Sequence, residues 1–231
     1  MVLIVSVLAT YLAYTYDINY QLDLTLLSIA MVFPLVFSIR GSFRRREKAL
    51  QHLSKFRSAL KTVNYLIISN LNVTEESKTE MGNILVEISE EMMVHLRAKH
   101  DNTKDLDEII NKVHQFILAQ GETLSRGVRD KVFRFMKDLH ESVENLHAIN
   151  THRTPISLKA YCKIFIYIFP VIYAPSIIST IGPEVNPSIT YFVVILTEFI
   201  LISLFNIQDQ LEYPFDDDID DIKIDTFKIN R

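Results

Sequence analysis

Where the basic residues fall constrains this chain more than any motif. Of its 24 Lys and Arg, 21 lie in residues 40–163 and three in the segment from 206 onward. Residues 1–39 and 164–205 hold none. A water-soluble domain needs no such segregation. A bilayer imposes it, because a charge at its centre costs about 3 kcal/mol or more. Four apolar stretches fill the base-free regions: 2–16, 24–39, 164–181 and 189–205. Each is near or slightly below the roughly 17–25 residues of a spanning helix. Pro170 and Pro175 interrupt the third, which predicts a kinked or only partly spanning helix there.

The same asymmetry predicts orientation. The short turns at 17–23 and 182–188 lack Lys and Arg, whereas "RGSFRRREK" (40–48) leaves the second stretch as a dense basic exit. The positive-inside rule then puts residues 40–163 and both termini on the cytosolic side. A cleaved signal peptide over 1–16 would need a basic n-region and a small-residue cleavage site, and neither is present.

Residues 44–150 read as soluble helices, each with one apolar stripe. Leu53, Phe56, Leu60 and Val63 recur at steps of three and four, as do Met81, Leu85, Ile88 and Met92. Leu106, Ile110, Val113 and Ile117 form a third set, and Val132, Met136, Leu139 and Val143 a fourth. Breaks are expected at 69–77, at 99–105 and at Gly121, with a helix restarting at Pro155. The net charge of −4 conceals a central block of +5 (21 bases, 16 acids) and a tail from 206 of −5 (three bases, eight acids).

Nothing in the sequence assembles a catalytic site. The seven histidines show no metal-ligand spacing, and His140 and His147, seven apart, share only a helix face. Phosphate-binding glycine loops and nucleophile elbows are absent. Cys162 is the only cysteine, so no intrachain disulfide forms. The basic exit at 40–48 suits lipid phosphates and topology better than nucleic acid. Glu198 stands inside the fourth apolar stretch, where a carboxylate is either a functional group or a hydrogen-bonded helix contact. The run "YPFDDDIDD" (213–221) fails as an EF-hand from Asp216: Asp221 falls where glycine is needed and Phe227 where glutamate is needed. Composition alone makes it a solvated acidic tail.

"FNIQDQLEYPFDDDIDDIKID" (205–225), leaving a final membrane helix, resembles the bestrophin signature, in which Pro-Phe and an acidic cluster end the last span. "VFPLVFSIRGSFRRREKAL" (32–50) is similar to the family's second helix, and "RTPISLKAYCKIFIYIFP" (153–170) to the entry into its third membrane region. The resemblance implies a pentameric anion channel whose pore is lined by the second helix. It implies a hydrophobic neck at Phe33, Phe37 and Gly41, with glycine departing from the apolar third rung. Arg40 and Arg44 would form a basic vestibule below it. It also implies a calcium clasp using the carbonyls of Gln210 and Tyr213 and the carboxylates of Asp218 and Asp221.

The expectation is therefore an all-α polytopic membrane protein and no enzyme. Residues 1–40 carry membrane helices one and two, and 41–157 a cytosolic helical block. Residues 158–206 carry membrane segments three and four, and 207–231 an acidic cytosolic tail. The expected function is a homopentameric channel for chloride or bicarbonate, contacting lipid and binding no nucleic acid. The rivals are a cation-selective pore of the same fold and a non-channel membrane adaptor or assembly factor.

Overall fold

The computed structural model describes residues 1–98, 102–182, 185–218 and 221–229. Among these there are helices and no strands. Seven α-helices follow in order: α1 Val2–Thr15, α2 Thr25–Ile68, α3 Glu75–Arg97, α4 Lys104–Ala119, α5 Arg126–Thr151, α6 Ile156–Ile181 and α7 Pro187–Glu212. A short 3-10 turn, Ile224–Phe227, comes last. The chain divides into two compact units, one of residues 1–43 and 154–212, the other of residues 44–153 and 213–231.

The first unit is the apolar one. Three helices are long and apolar enough to cross a membrane: α2, α7, and the stretch Arg126–Ile181, whose apolar part is α6. The expected first span is shorter. α1 has 14 residues, about 21 Å at 1.5 Å per residue, against a hydrocarbon core of about 30 Å. α1, α6 and α7 pack on one another. α6 differs from its expectation: it runs as one helix through both Pro170 and Pro175. A proline removes one backbone hydrogen bond and crowds the preceding turn. Here both prolines lie on the buried side of α6, with Phe169 and Ala174, where packing against neighbouring helices keeps the helix going.

The second unit is an ordinary soluble bundle in its chemistry. Its core takes Leu53, Phe56 and Leu60 from α2, Met81, Leu85 and Ile88 from α3, Ile110 and Ile117 from α4, and Val132, Val143 and Leu146 from α5. These are the stripes that the sequence period marked. Burial of each such side chain contributes about 1.5–3 kcal/mol. Thr74 caps α3 by accepting the Ser77 N–H at 3.3 Å, and Glu75 and Glu76 occupy the first turn, where the helix dipole favours anions. The chain turns between α2 and α3 and again after α4, as expected; residues 99–101 of the expected third break lie outside the described residues.

Two boundaries depart from the sequence reading. The second span and the start of the expected soluble block are a single 44-residue helix, continuous through Pro34 and Gly41. In addition, the stretch after Glu212 is not a free acidic tail. Phe215, Ile222 and Ile224 are buried in the core of the second unit, and the Ile229 N–H donates to Ser89 Oγ at 3.1 Å. The aspartates hid these alternate apolar anchors.

Candidate functional site

α2 carries the first set of expected site residues. At about 100° per residue, Phe33, Phe37, Arg40, Gly41 and Arg44 fall within roughly one third of the helix circumference. All five are exposed, the two phenyl rings at 56% and 60%. The opposite side is closed: Leu35 is 1% exposed, and Ser38 and Ser42 are buried. The two rings are 6.0 Å apart, centroid to centroid. A side chain added at Gly41 would meet nothing within 4 Å. The helix thus offers a continuous face, apolar in its first two turns and basic in the next two, that the chain's own packing leaves uncovered.

The acidic stretch is built differently from its expectation. Asp217 adopts φ +64, the left-handed region that Asp tolerates better than most residues. Arg97 Nε donates to Asp217 Oδ2 at 2.9 Å, and the same guanidinium pairs with Asp225. Lys228 Nζ adds a contact to Asp225 at 2.8 Å. Hydrogen bonds from Arg97 and then Lys228 hold the Asp225 carboxyl down to about 2. The Asp218 N–H donates to Asp221 Oδ2 at 2.8 Å, closing a local turn. Burial pushes the Asp221 carboxyl up, more strongly than that hydrogen bond lowers it. Tyr213 packs under the Arg153 guanidinium, 4.2 Å from the ring centroid.

Gln210 is exposed in the last turn of α7, where helix geometry leaves a carbonyl without an intrahelical donor. It belongs to the first unit; Tyr213, Asp218 and Asp221 belong to the second. Among the described residues no three acidic, His or Cys side chains gather as metal ligands. Calcium takes six to eight oxygens. Here one Asp221 oxygen is committed to a backbone N–H, and Asp217 and Asp225 face Arg97.

The residues flanking Gln210 are the ones that bond. Glu212 has a fully buried side chain and pairs with Lys159 Nζ at 2.5 Å. It also accepts from the Thr154 N–H at 2.8 Å and from Gln208 Nε2 at 3.1 Å. Lys159 reaches Asp209 as well, at 2.9 Å. This node ties the start of α6 to the end of α7. Its sequence signal, an i, i+4 Gln-Glu pair at a helix end, was weaker than the aspartate run beside it. Of the histidines, His147 Nδ1 lies 3.0 Å from Nε2 of the buried His95. His140 Nδ1 lies 3.4 Å from Asp107 Oδ1 instead.

No protein-family model matches the sequence, and no curated protein does. Solved structures match over nearly the whole chain. One point variant of a bacterial bestrophin homologue from Klebsiella pneumoniae superposes with a TM-score of 0.84 at 16% identity, over 97% of this chain and 92% of its own. A second variant gives 0.83 at 18%, over 98% and 93%. A third gives 0.81 at 18%, over 98% and 91%. At such identities the likeness is one of fold, while most side chains differ. The chain has the fold of the bacterial bestrophin homologues.

Proposed function

We propose that the chain is a bestrophin-like ion channel that passes chloride, bicarbonate or another small anion along the axis of a homopentamer, with α2 lining the path. One observation carries this reading: the face of Phe33, Phe37, Arg40, Gly41 and Arg44 is exposed in the chain while the reverse face of the same helix is buried. A lipid-facing stripe accounts for the phenyls alone. It does not account for arginines that continue the same face. Five copies of each phenyl would form a narrow apolar ring, where confined water loses hydrogen bonds that the rings cannot replace, so the pore gates by dewetting. Arg40 and Arg44 would form a positive vestibule that concentrates anions. Gly41 leaves the third level of the neck wide.

The remaining exposed apolar side chains of the first unit would contact lipid, with residues 40–163 and both termini on the cytosolic side. For the acidic stretch the proposal favours Arg97 over calcium as the holding cation. Calcium at Gln210, Tyr213, Asp218 and Asp221 is the competing reading. Changing Asp218 and Asp221 together to Asn tests it: a calcium-dependent shift in melting temperature that this variant loses would establish the ion.

Liposome flux tests the channel. Phe33→Ala and Phe37→Ala should each raise ion flux severalfold with the pentamer intact by mass in detergent, and Leu35→Ala should not. Arg40→Glu should reduce anion preference in the reversal potential under a salt gradient. Pentameric Phe variants that conduct like the parent, with Leu35→Ala opening the pore, would put the path on another face. Absence of flux from every variant would favour an adaptor role.

A further inference from the structure

Glu198 has no exposed surface, and neither of its carboxyl oxygens has a hydrogen-bond partner among the described residues. It lies near the middle of α7, on the buried side that also carries Thr190, Val194, Leu201, Gln208 and Glu212. α7 packs on α1 and α6. Tyr14 OH, near the end of α1, donates to Thr190 Oγ1, near the start of α7, at 2.9 Å. Extended packing between the two helices then requires them to run antiparallel. Glu198 lies two turns beyond Thr190; Thr10 and Ser6 lie one and two turns back from Tyr14. Both hydroxyls are buried.

The chemistry of that α1 line is directional. Ser6 Oγ donates to Val2 O at 3.3 Å, and Thr10 Oγ1 donates to Ser6 O at 2.8 Å. Their hydroxyl hydrogens are therefore spent on their own helix, and what they present to a neighbour is acceptor oxygen. A carboxylate also only accepts; a carboxylic acid donates one hydrogen.

Among the described residues no charge compensates an ionised Glu198. The buried face of α1 carries none; its tyrosines Tyr14, stacked on Tyr191 of α7, and the exposed Tyr11 are neutral groups. On α6 the buried titratable group is Cys162; Lys163 is exposed, and Lys159 is bonded to Asp209 and Glu212 at the far end of α7. In the first unit α2 buries Met31, Leu35, Ser38 and Ser42 and leaves Arg40 exposed. An uncompensated charge in such a place is expensive. Because the burial is complete within one chain, a second copy cannot reach the group to pair with it.

We propose that Glu198 is a proton-binding site of the helical membrane unit. In the packed bundle it is the neutral acid, at the level of a Ser6–Thr10 line that offers no donor to a carboxylate. When α1 and α7 separate far enough to admit water, the O–H bond breaks, the proton passes to that water, and the carboxylate is solvated. Packing and protonation are then linked through one proton. Rising pH favours separation by up to about tenfold per pH unit over the range where only the separated state is ionised.

Infrared spectroscopy and thermal unfolding of the detergent-solubilised full chain test this, and neither needs the protein to conduct. At neutral pH the parent should show the carbonyl stretch of a protonated carboxylic acid, and Glu198→Gln should lack it. The parent's unfolding midpoint should fall from mildly acidic to mildly alkaline pH, and Glu198→Gln should lose most of that slope. A band that persists unchanged in Glu198→Gln, or an unchanged slope, overturns the proposal. If Glu198→Gln does not fold, Glu198→Asp decides: a shifted acid band supports the site, and an unshifted one sinks it.

Discussion

The two units of this chain both bury apolar side chains but differ in what else they bury and in what they expose. In the second unit Leu53, Phe56, Met81 and Ile88 are inside and the charges outside. In the first, Leu8, Tyr11, Phe192, Leu196, Phe199 and Ile200 face outward, while Ser6, Thr10, Thr190, Glu198, Gln208 and Glu212 are buried. Water drives the second arrangement: apolar surface leaves it, at about 25 cal/mol per Å². No such drive exists between helices already in hydrocarbon, so association there rests on close packing and on polar groups finding one another. One sequence thus records two solvents.

The largest contrast to expect comes from deleting a ring in each region. Phe56 is fully buried in the second unit and Phe199 is 55% exposed in the first. Phe56→Ala should cost about 3–5 kcal/mol, while Phe199→Ala in detergent should leave the melting temperature nearly unchanged. Comparable losses from both would mean that the outward face of α7 is covered by something other than lipid or detergent.

Next comes the polar interior of the first unit. Glu212→Ala removes the acceptor of Lys159, Gln208 and the Thr154 N–H at once. Breaking a buried pair on one side costs about 3 kcal/mol or somewhat more, reduced here because Lys159 keeps Asp209 and some exposure. Thermal unfolding of Glu212→Ala beside Glu212→Gln separates the charge from the hydrogen bonds. A loss as large in Glu212→Gln as in Glu212→Ala would show that charge matters more than shape.

The smallest effect belongs to Arg97. Its partners are half exposed, so Arg97→Ala should cost no more than about 1 kcal/mol at neutral pH. The pH dependence has a definite sign. Asp225 is held down to about 2 by Arg97 and Lys228, so its contribution is present above the ordinary carboxylate range and is lost as pH falls toward that value. The difference between parent and Arg97→Ala should shrink on acidification; a difference that grows would contradict the pairing.

Legibility followed the same division. In the second unit a 3.6-residue period reports burial directly, and its four stripes appear in the core. In the first unit the period is blurred, because lipid-facing and helix-facing residues are both apolar. The sequence therefore marked Pro170 and Pro175 as breakers where α6 runs through. Arg97 and Asp217 lie 120 residues apart, so no local pattern links them. Phe215, Ile222 and Ile224 were masked by the aspartates among them. Glu198 was visible as an anomaly, but its lack of a hydrogen-bond partner among the described residues appears only once α1, α6 and α7 are packed.

The central claim is that one face of α2 lines a water-filled path, and thiol accessibility tests it most directly. In a Cys162→Ser background, Phe33→Cys, Phe37→Cys and Leu35→Cys would be reconstituted in planar bilayers and exposed to a charged, water-soluble thiol reagent. The account predicts that current through the Phe33→Cys and Phe37→Cys channels changes on modification and that current through Leu35→Cys does not. Modification of Leu35→Cys alone, with the other two unreactive, would contradict it.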